Sequence, residues 1–239
     1  MHYLAFDIET IGKQYDTLDE QSRKYLREWA ERDSKNEEEA ERELENIKKG
    51  LPLSPFMGEI VAIGMLDDND KGAVYFRADE DPSIADSQDG DVQYRPGNEK
   101  EILQRFWSVA AEYKDFVTFN GRGFDVPYLM LRSAIHHIRP TVNLMSNRYL
   151  GLQRGARHYD LQDLLSFYGA LWKRPKLHFV TEAFGIESPK KGGMDGEEVP
   201  QAFADKRYLE IARYCMDDVR ATKKVFDMWH EYLNFEVGW

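Results

Sequence analysis

The stretch Tyr3-Leu4-Ala5-Phe6-Asp7-Ile8-Glu9-Thr10 constrains this chain more than any other. The apolar run Tyr3 to Phe6 has the length and aromatic content of a buried β-strand, and it ends in two carboxylates spaced two residues apart. Side chains alternate faces along a strand, so Asp7 and Glu9 point the same way. Two acids side by side repel each other unless something positive lies between them. A divalent cation is the usual solution, because hard carboxylate oxygens suit Mg²⁺ or Mn²⁺. The plainer alternative is a strand that runs into an acidic surface turn, and the rest of the chain decides between the two.

Beyond the turn-like Ile11-Gly12, residues 18–50 are dense in Glu, Lys, Arg and Ala, and read as a helical hairpin inserted after the first strand. Tyr25, Leu26 and Trp29 share one helical face, as do Leu44 and Ile47; Ser34 or Asn36 caps the second helix. The charged faces predict a solvated decoration, with a lid or partner-binding role as the second option. Pro52 and Pro55 end the insert. Glu59 to Leu66 and Ala73 to Arg77 then form an antiparallel hairpin, and Asp79 to Gly97 is expected to be a surface loop. Asn98 precedes an amphipathic helix through Ile102, Leu103, Phe106, Trp107 and Ala110.

A further strand, Phe116 to Phe119, ends in Asn120-Gly121-Arg122-Gly123-Phe124-Asp125 and leads into a helix with Pro127 in its first turn. Ligands gather where strands end in such turns. Asp125 is therefore a candidate third metal ligand, or an ordinary N-cap. Arg148, Arg154 and Arg157 mark a basic stretch that either tracks phosphates or is merely solvated, and Asp160 caps the helix that follows. Leu177 to Phe184 is expected to be a short helix, and Ser188 to Val199 a loop whose Lys190 and Lys191 could meet phosphates. The last long helix runs from about Asp205 to Leu233. It places Tyr214 and Asp218 on one face at i, i+4, with Asp217 rotated away as the solvent-side neighbour.

Read in order, Phe6-Asp7-Ile8-Glu9-Thr10, Phe119 to Leu129 and Tyr214-Cys215-Met216-Asp217-Asp218 resemble the three motifs of the DEDD superfamily of 3′–5′ exonucleases, tyrosine subtype. The middle motif most resembles the proofreading domain of family-B DNA polymerases. The whole chain is similar to the free-standing bacterial exonucleases predicted to be related to that domain. The resemblance implies an α/β, ribonuclease-H-like fold, with a mixed central sheet flanked by helices on both faces and one exonuclease domain over residues 1–239. It implies two divalent cations, Mg²⁺ or Mn²⁺, held by Asp7, Glu9, Asp125 and Asp218, with Tyr214 orienting the attacking water. It implies substrate contacts from Ile8, Thr10, Asn120 and Gly121, while Phe124 either stacks beside a base or packs in the core. The expected reaction shortens DNA with a free 3′ end, single-stranded or frayed, releasing nucleoside 5′-monophosphates. The rivals are an exoribonuclease of the RNase D type, which the lack of an appended helical RNA-binding domain disfavours, and a non-catalytic nucleic-acid-binding module, whose sign would be a lost carboxylate.

Charge bears on the partners. A net charge of −11 in 239 residues argues against tight non-specific duplex binding, and predicts a partner protein that delivers the 3′ end. No apolar run reaches the length of a membrane span, no signal peptide opens the chain, and the lone Cys215 excludes a disulfide framework. A cytoplasmic location is the expectation.

Overall fold

In the computed structural model, residues 1–78, 81, 83–186 and 194–235 are described. Seven strands make one mixed sheet in the order β4-β5-β3-β2-β1-β6-β7. Strand β1 (Tyr3–Gly12) lies antiparallel to β2 (Gly58–Asp67) on one side and parallel to β6 (Asp115–Thr118) on the other. β3 (Gly72–Arg77) continues antiparallel from β2, and β7 (Arg157–Asp160) pairs parallel with β6. The strand carrying Asp7 and Glu9 thus lies inside the sheet, paired on both sides by β2 and β6.

Period-two alternation sorts β1 cleanly. Leu4, Phe6 and Ile8 enter one core with Phe106 and Trp107 of α3 (Glu99–Ala110) and Leu129 of α4 (Asp125–Ile135). Tyr3 and Ala5 enter the opposite core with Ile211, Cys215, Val219 and Phe226 of α8 (Tyr208–Tyr232). Asp7 and Glu9 continue the second set, so they face α8. Helices therefore cover both sides of the sheet, as anticipated.

Several expectations change in detail. β1 does not stop at the acids; it runs on through Ile11 and Gly12, because β2 stays paired with it across a register shift at Glu9/Thr10. At that irregularity Ile60 N–H turns to Glu99 Oε1 at 2.8 Å instead. The expected loop before Gly97 contains two strands, β4 (Ser87–Asp89) and β5 (Val92–Gly97), with β5 parallel to β3. Val92 and Tyr94 alternate into the core while Gln93 and Arg95 face out, a pattern too short to separate from a polar loop. β7 also went unread, since its four residues follow a basic stretch.

The insert is a helical hairpin, α1 (Glu20–Arg32) and α2 (Glu37–Gly50), capped by Asp19 and Asn36. Its inward face differs from the expectation: Leu26 and Ala30 are buried, whereas Tyr25 and Trp29 are 57% and 50% exposed. Leu18, Leu26 and Leu51 form a satellite core with Tyr15, Leu44 and Ile47 against them. Short helices α5 (Leu161–Leu165), α6 (Leu177–Ala183) and α7 (Val199–Ala204) complete the elements used below. Lys190 and Lys191 lie outside the described residues.

A buried ionic cluster ties these parts together. Glu99, 6% exposed at the start of α3, accepts from Arg132 Nε at 2.8 Å and Nη2 at 2.5 Å, and lies 2.6 Å from His136 Nε2. Arg132 also donates to Pro55 O at 3.2 Å, so α3, α4, β2 and the end of the insert share one fixed node.

Candidate active site

The acids of β1 sit beneath α8. In the β1–β2 ladder Asp7 stands opposite Gly64, and a Cβ there would come within 3.0 Å of Cys215 Sγ and Val219 Cγ2. Glycine at this position lets α8 lie close to the sheet. Ligand atoms of Asp7, Glu9 and Cys215 consequently fall within 4.8 Å of one another. One residue before Cys215 and three after it, Tyr214 and Asp218 occupy the neighbouring row of the helix, both half-buried.

The third contributor arrives through α4. Asp125 is the first helical residue, not the cap; the cap position belongs to Phe124. Asp125 is 3% exposed, and its Oδ1 accepts the backbone N–H of Ile8 at 3.1 Å, between Asp7 and Glu9. This bond links the start of α4 directly to the acidic stretch of β1, in place of ordinary helix capping.

Electrostatics registers the convergence. Burial holds the Asp7 carboxyl well above the ordinary carboxylate range, and Asp125, Asp218 and Glu9 push it further. Burial followed by Asp218 and Asp125 does the same to Glu9. Asp125 is pushed up to about 7, mainly by burial, although the Ile8 N–H opposes the shift. Burial, then the charges of Asp218 and Glu9, raises the Tyr214 phenol far above its usual range; its hydrogen bond to Asp218 adds to the shift. Burial also lifts the Cys215 thiol, so its sulfur stays protonated beside the carboxylates. Among the described residues no lysine or arginine pairs with Asp7, Glu9 or Asp125. Asp217 points elsewhere, to Arg220 Nη1 at 3.1 Å, as its helical offset requires. A set of hard oxygen donors, mutually repelling and without a cationic side chain, fits Mg²⁺ or Mn²⁺; the protonated thiol of Cys215 does not belong to that donor set.

The turn between β6 and α4 is held from two sides. Asn120 has φ 65°, and Gly121 packs so closely that a Cβ would meet Thr118 Oγ1 at 2.2 Å. Gly121 N–H donates to Thr118 Oγ1 at 3.1 Å, and that hydroxyl is 2.7 Å from Nε2 of buried His158. His158 Nδ1 lies 3.2 Å from Leu144 O, which can only accept. Nδ1 therefore carries a proton, and in the neutral ring Nε2 accepts from Thr118. Burial pushes its pKa down to about 3. From the other side Asp160 accepts Asn120 N–H at 3.1 Å and Arg122 N–H at 2.9 Å while capping α5 through Gln162 and Asp163. Asp160 thus does more than cap a helix.

The residues expected to contact substrate divide. Ile8, Glu9, Thr10 and Phe124 line a cleft of about 780 Å³, bounded also by Lys13, Lys48, Lys49, Leu53, Asp195 and Glu197. The Ile8 side chain itself is buried in the core opposite the acids, so only its backbone faces the site. Thr10 Oγ1 is committed to Pro52 O at 2.8 Å. Phe124 packs its ring on Tyr128 at 5.4 Å and also borders the cleft. Asn120 opens instead on a smaller hollow of about 240 Å³ with Arg122, Arg148 and Arg174. Gly121 is buried, and its reason for being glycine is the Thr118 contact. Of the basic stretch, Arg148 is bound to Asp163 and Arg157 to Asp115. Sequence reasoning missed Gly64, His158 and Lys49; nothing in their local pattern separates them from ordinary core or surface positions.

A family model described as a predicted 3′–5′ exonuclease related to the exonuclease domain of PolB matches residues 57–234. That range holds Asp125, Tyr214 and Asp218 but begins after β1 and the helical insert. A DNA polymerase of Thermococcus litoralis is 26% identical over 195 residues, and one of Thermococcus aggregans 25%, each match covering 75% of this chain. The match spans only 10% of the length of either polymerase. The family B DNA polymerase of Pyrobaculum calidifontis shares the fold, with a TM-score of 0.59 and 18% identity over 95% of this chain and 24% of the polymerase.

Proposed function

This chain belongs to the family of predicted 3′–5′ exonucleases related to the exonuclease domain of PolB, and from that premise we propose that it removes nucleotides from the 3′ end of single-stranded or frayed DNA by a two-metal mechanism, releasing nucleoside 5′-monophosphates. The observation that carries the reading is the convergence of Asp7, Glu9, Asp125 and Asp218 from β1, α4 and α8, with Tyr214 beside Asp218. The sheet order, with three antiparallel-linked strands followed by two parallel ones around β1, supports a ribonuclease-H-like domain spanning residues 1–239.

Asp7, Glu9, Asp125 and Asp218 would hold two divalent cations. Bound there, Mg²⁺ or Mn²⁺ supplies an acidified water and charge neutralisation for the entering and leaving oxygens. A cation held there would offset the burial and the mutual repulsion that raise the carboxyls of Asp7 and Glu9. Tyr214 keeps its proton at any physiological pH, so it is not the base. Its hydroxyl donates to Asp218 and retains lone pairs to orient the attacking water. The Ile8–Asp125 bond fixes α4 against β1, so the carboxylates are positioned before substrate arrives. Phe124 offers an aromatic edge at the cleft, where a base can rest irrespective of its identity.

The test uses 5′-labelled single-stranded DNA and matched RNA, with Mg²⁺, Mn²⁺ or chelator. A ladder shortening from the 3′ end, faster on DNA and lost with chelator, is expected. Shortening of RNA alone would transfer the protein to the exoribonuclease class, and no shortening of either would refute the reading.

A further inference from the structure

We propose that the helical insert is part of the substrate path: Lys13, just after β1, and Lys49, at the end of α2, hold the phosphate backbone of the DNA strand whose 3′ end lies at the acids. The inference rests on the exonuclease reading and adds to it a surface that the family match does not reach, since that match begins at residue 57.

Placement comes first. The end of α2 is pinned to β1 by packing and hydrogen bonds. A Cβ on Gly12 would meet Leu51 Cβ at 2.8 Å, Thr10 Oγ1 donates to Pro52 O at 2.8 Å, and Lys13 N–H donates to Met57 O at 2.8 Å. Leu51 is buried in the satellite core with Leu18 and Leu26. The last turn of α2 therefore stands at a fixed distance from Glu9, and both border the same cleft of about 780 Å³.

Charge comes second. The lining of that cleft includes Lys13, Lys48 and Lys49 together with Asp195 and Glu197. Lys48 is held by Glu45 at 2.6 Å and lies over the Tyr15 ring. Lys13 and Lys49 are exposed, and among the described residues neither is paired with an acid. In a chain of net charge −11, these two ammonium groups border the same cleft as Glu9. Within that mixed lining the ammonium groups are the part that attracts a polyanion. Leu53, 67% exposed, and Phe124 line the same cleft and give it apolar surface for a base.

The competing explanation for Lys48 and Lys49 is the C-terminal end of the α2 dipole, which favours cations there. It predicts a stability effect and no effect on DNA. It also leaves Lys13, which lies on no helix, without a role.

The experiment measures anisotropy of a 5′-fluorescein dT12 bound to the full chain carrying Asp7→Asn, to prevent turnover, across a salt series. Adding Lys13→Ala and Lys49→Ala is expected to weaken binding roughly tenfold at low salt. It should also flatten the slope of log K against log salt by about 1.4, the loss of two phosphate contacts on a single strand. Lys24→Ala with Lys35→Ala, on the same hairpin but away from the cleft, should leave both quantities as in the parent. An unchanged slope and affinity in the Lys13/Lys49 variant, or no binding of dT12 by the parent, overturns the proposal. Turnover of dT12 by the chain with Asp7 intact is read separately. Shortening without any lysine effect leaves the exonuclease reading standing and removes the strand path. A lysine effect without shortening keeps the DNA surface and removes the exonuclease.

Discussion

His158 makes the floor of the β6–α4 turn sensitive to acid in a way that can be worked through. Its ring is buried, stacks at 6.2 Å on Phe6, and in the neutral Nδ1–H form holds both Thr118 and Leu144 O. With a folded pKa of about 3 against an ordinary 6.5, the folded state refuses a proton that the unfolded chain accepts. The unfolded state thus binds more protons below pH 6.5, and stability falls as the pH is lowered. The contribution is fully present above pH 6.5 and is lost progressively toward pH 3. By pH 5 the loss is about 2 kcal/mol. Asp7, Glu9 and Asp125, whose folded pKa values are raised, act with the opposite sign in metal-free protein, so wild-type stability alone does not isolate the histidine. His158→Gln does, because the acids are common to both chains. Urea unfolding in chelator, followed by circular dichroism, should show the variant about 2–3 kcal/mol less stable at pH 7.5, from the loss of buried hydrogen bonds. At pH 5 the gap should shrink by about 2 kcal/mol. A gap that is constant or wider at pH 5 would show that the ring is already charged in the folded state, and the tautomer assignment would fall.

Other perturbations have equally definite outcomes. Arg132→Ala leaves buried Glu99 with only Ile60 N–H and His136 and should cost about 3–5 kcal/mol in urea unfolding, whereas Arg148→Ala, whose guanidinium is more than a third exposed, should cost under about 1 kcal/mol. Tyr214→Phe removes the hydroxyl that donates to Asp218; kcat should drop about 10²-fold, while the metal concentration for half-maximal rate moves little. Asp125→Asn keeps an acceptor for Ile8 N–H but removes a charge whose carboxyl is pushed up to about 7. In chelator the variant should be more stable than wild type by about 4 kcal/mol at pH 8 and by about 2 kcal/mol at pH 5, measured by the same unfolding assay, because the raised carboxyl is already protonated at the lower pH.

The central strand, both long helical cores and the pairing of Tyr214 with Asp218 on one face were legible because they rest on periodicity and on fixed backbone geometry. Asp7 and Glu9 share a face for the same reason that Tyr3 and Ala5 do. What stayed hidden depends on contacts between segments far apart in the chain. Asp125 as a tether to Ile8 spans 117 residues, and Gly64 is needed only because α8 crosses above it. β4 and β5 are short and partly polar, so their pairing with β3 overrode a composition that reads as loop. The inward face of α1 was misread because Tyr25 and Trp29 fit a helical stripe, yet the hairpin buries the neighbouring row with Leu26 and Ala30.

Counting bound Mn²⁺ by electron paramagnetic resonance, in wild type, Asp7→Asn and Asp217→Asn, tests most directly whether the four converging carboxylates form a metal site. Asp217 is the control, because it pairs with Arg220 one helical step away from Asp218. Two ions per chain in wild type and Asp217→Asn, with at least one lost in Asp7→Asn along with 3′-end shortening, is the predicted result. Equal Mn²⁺ uptake by wild type and Asp7→Asn, or uptake that depends on Asp217 instead, would contradict the account.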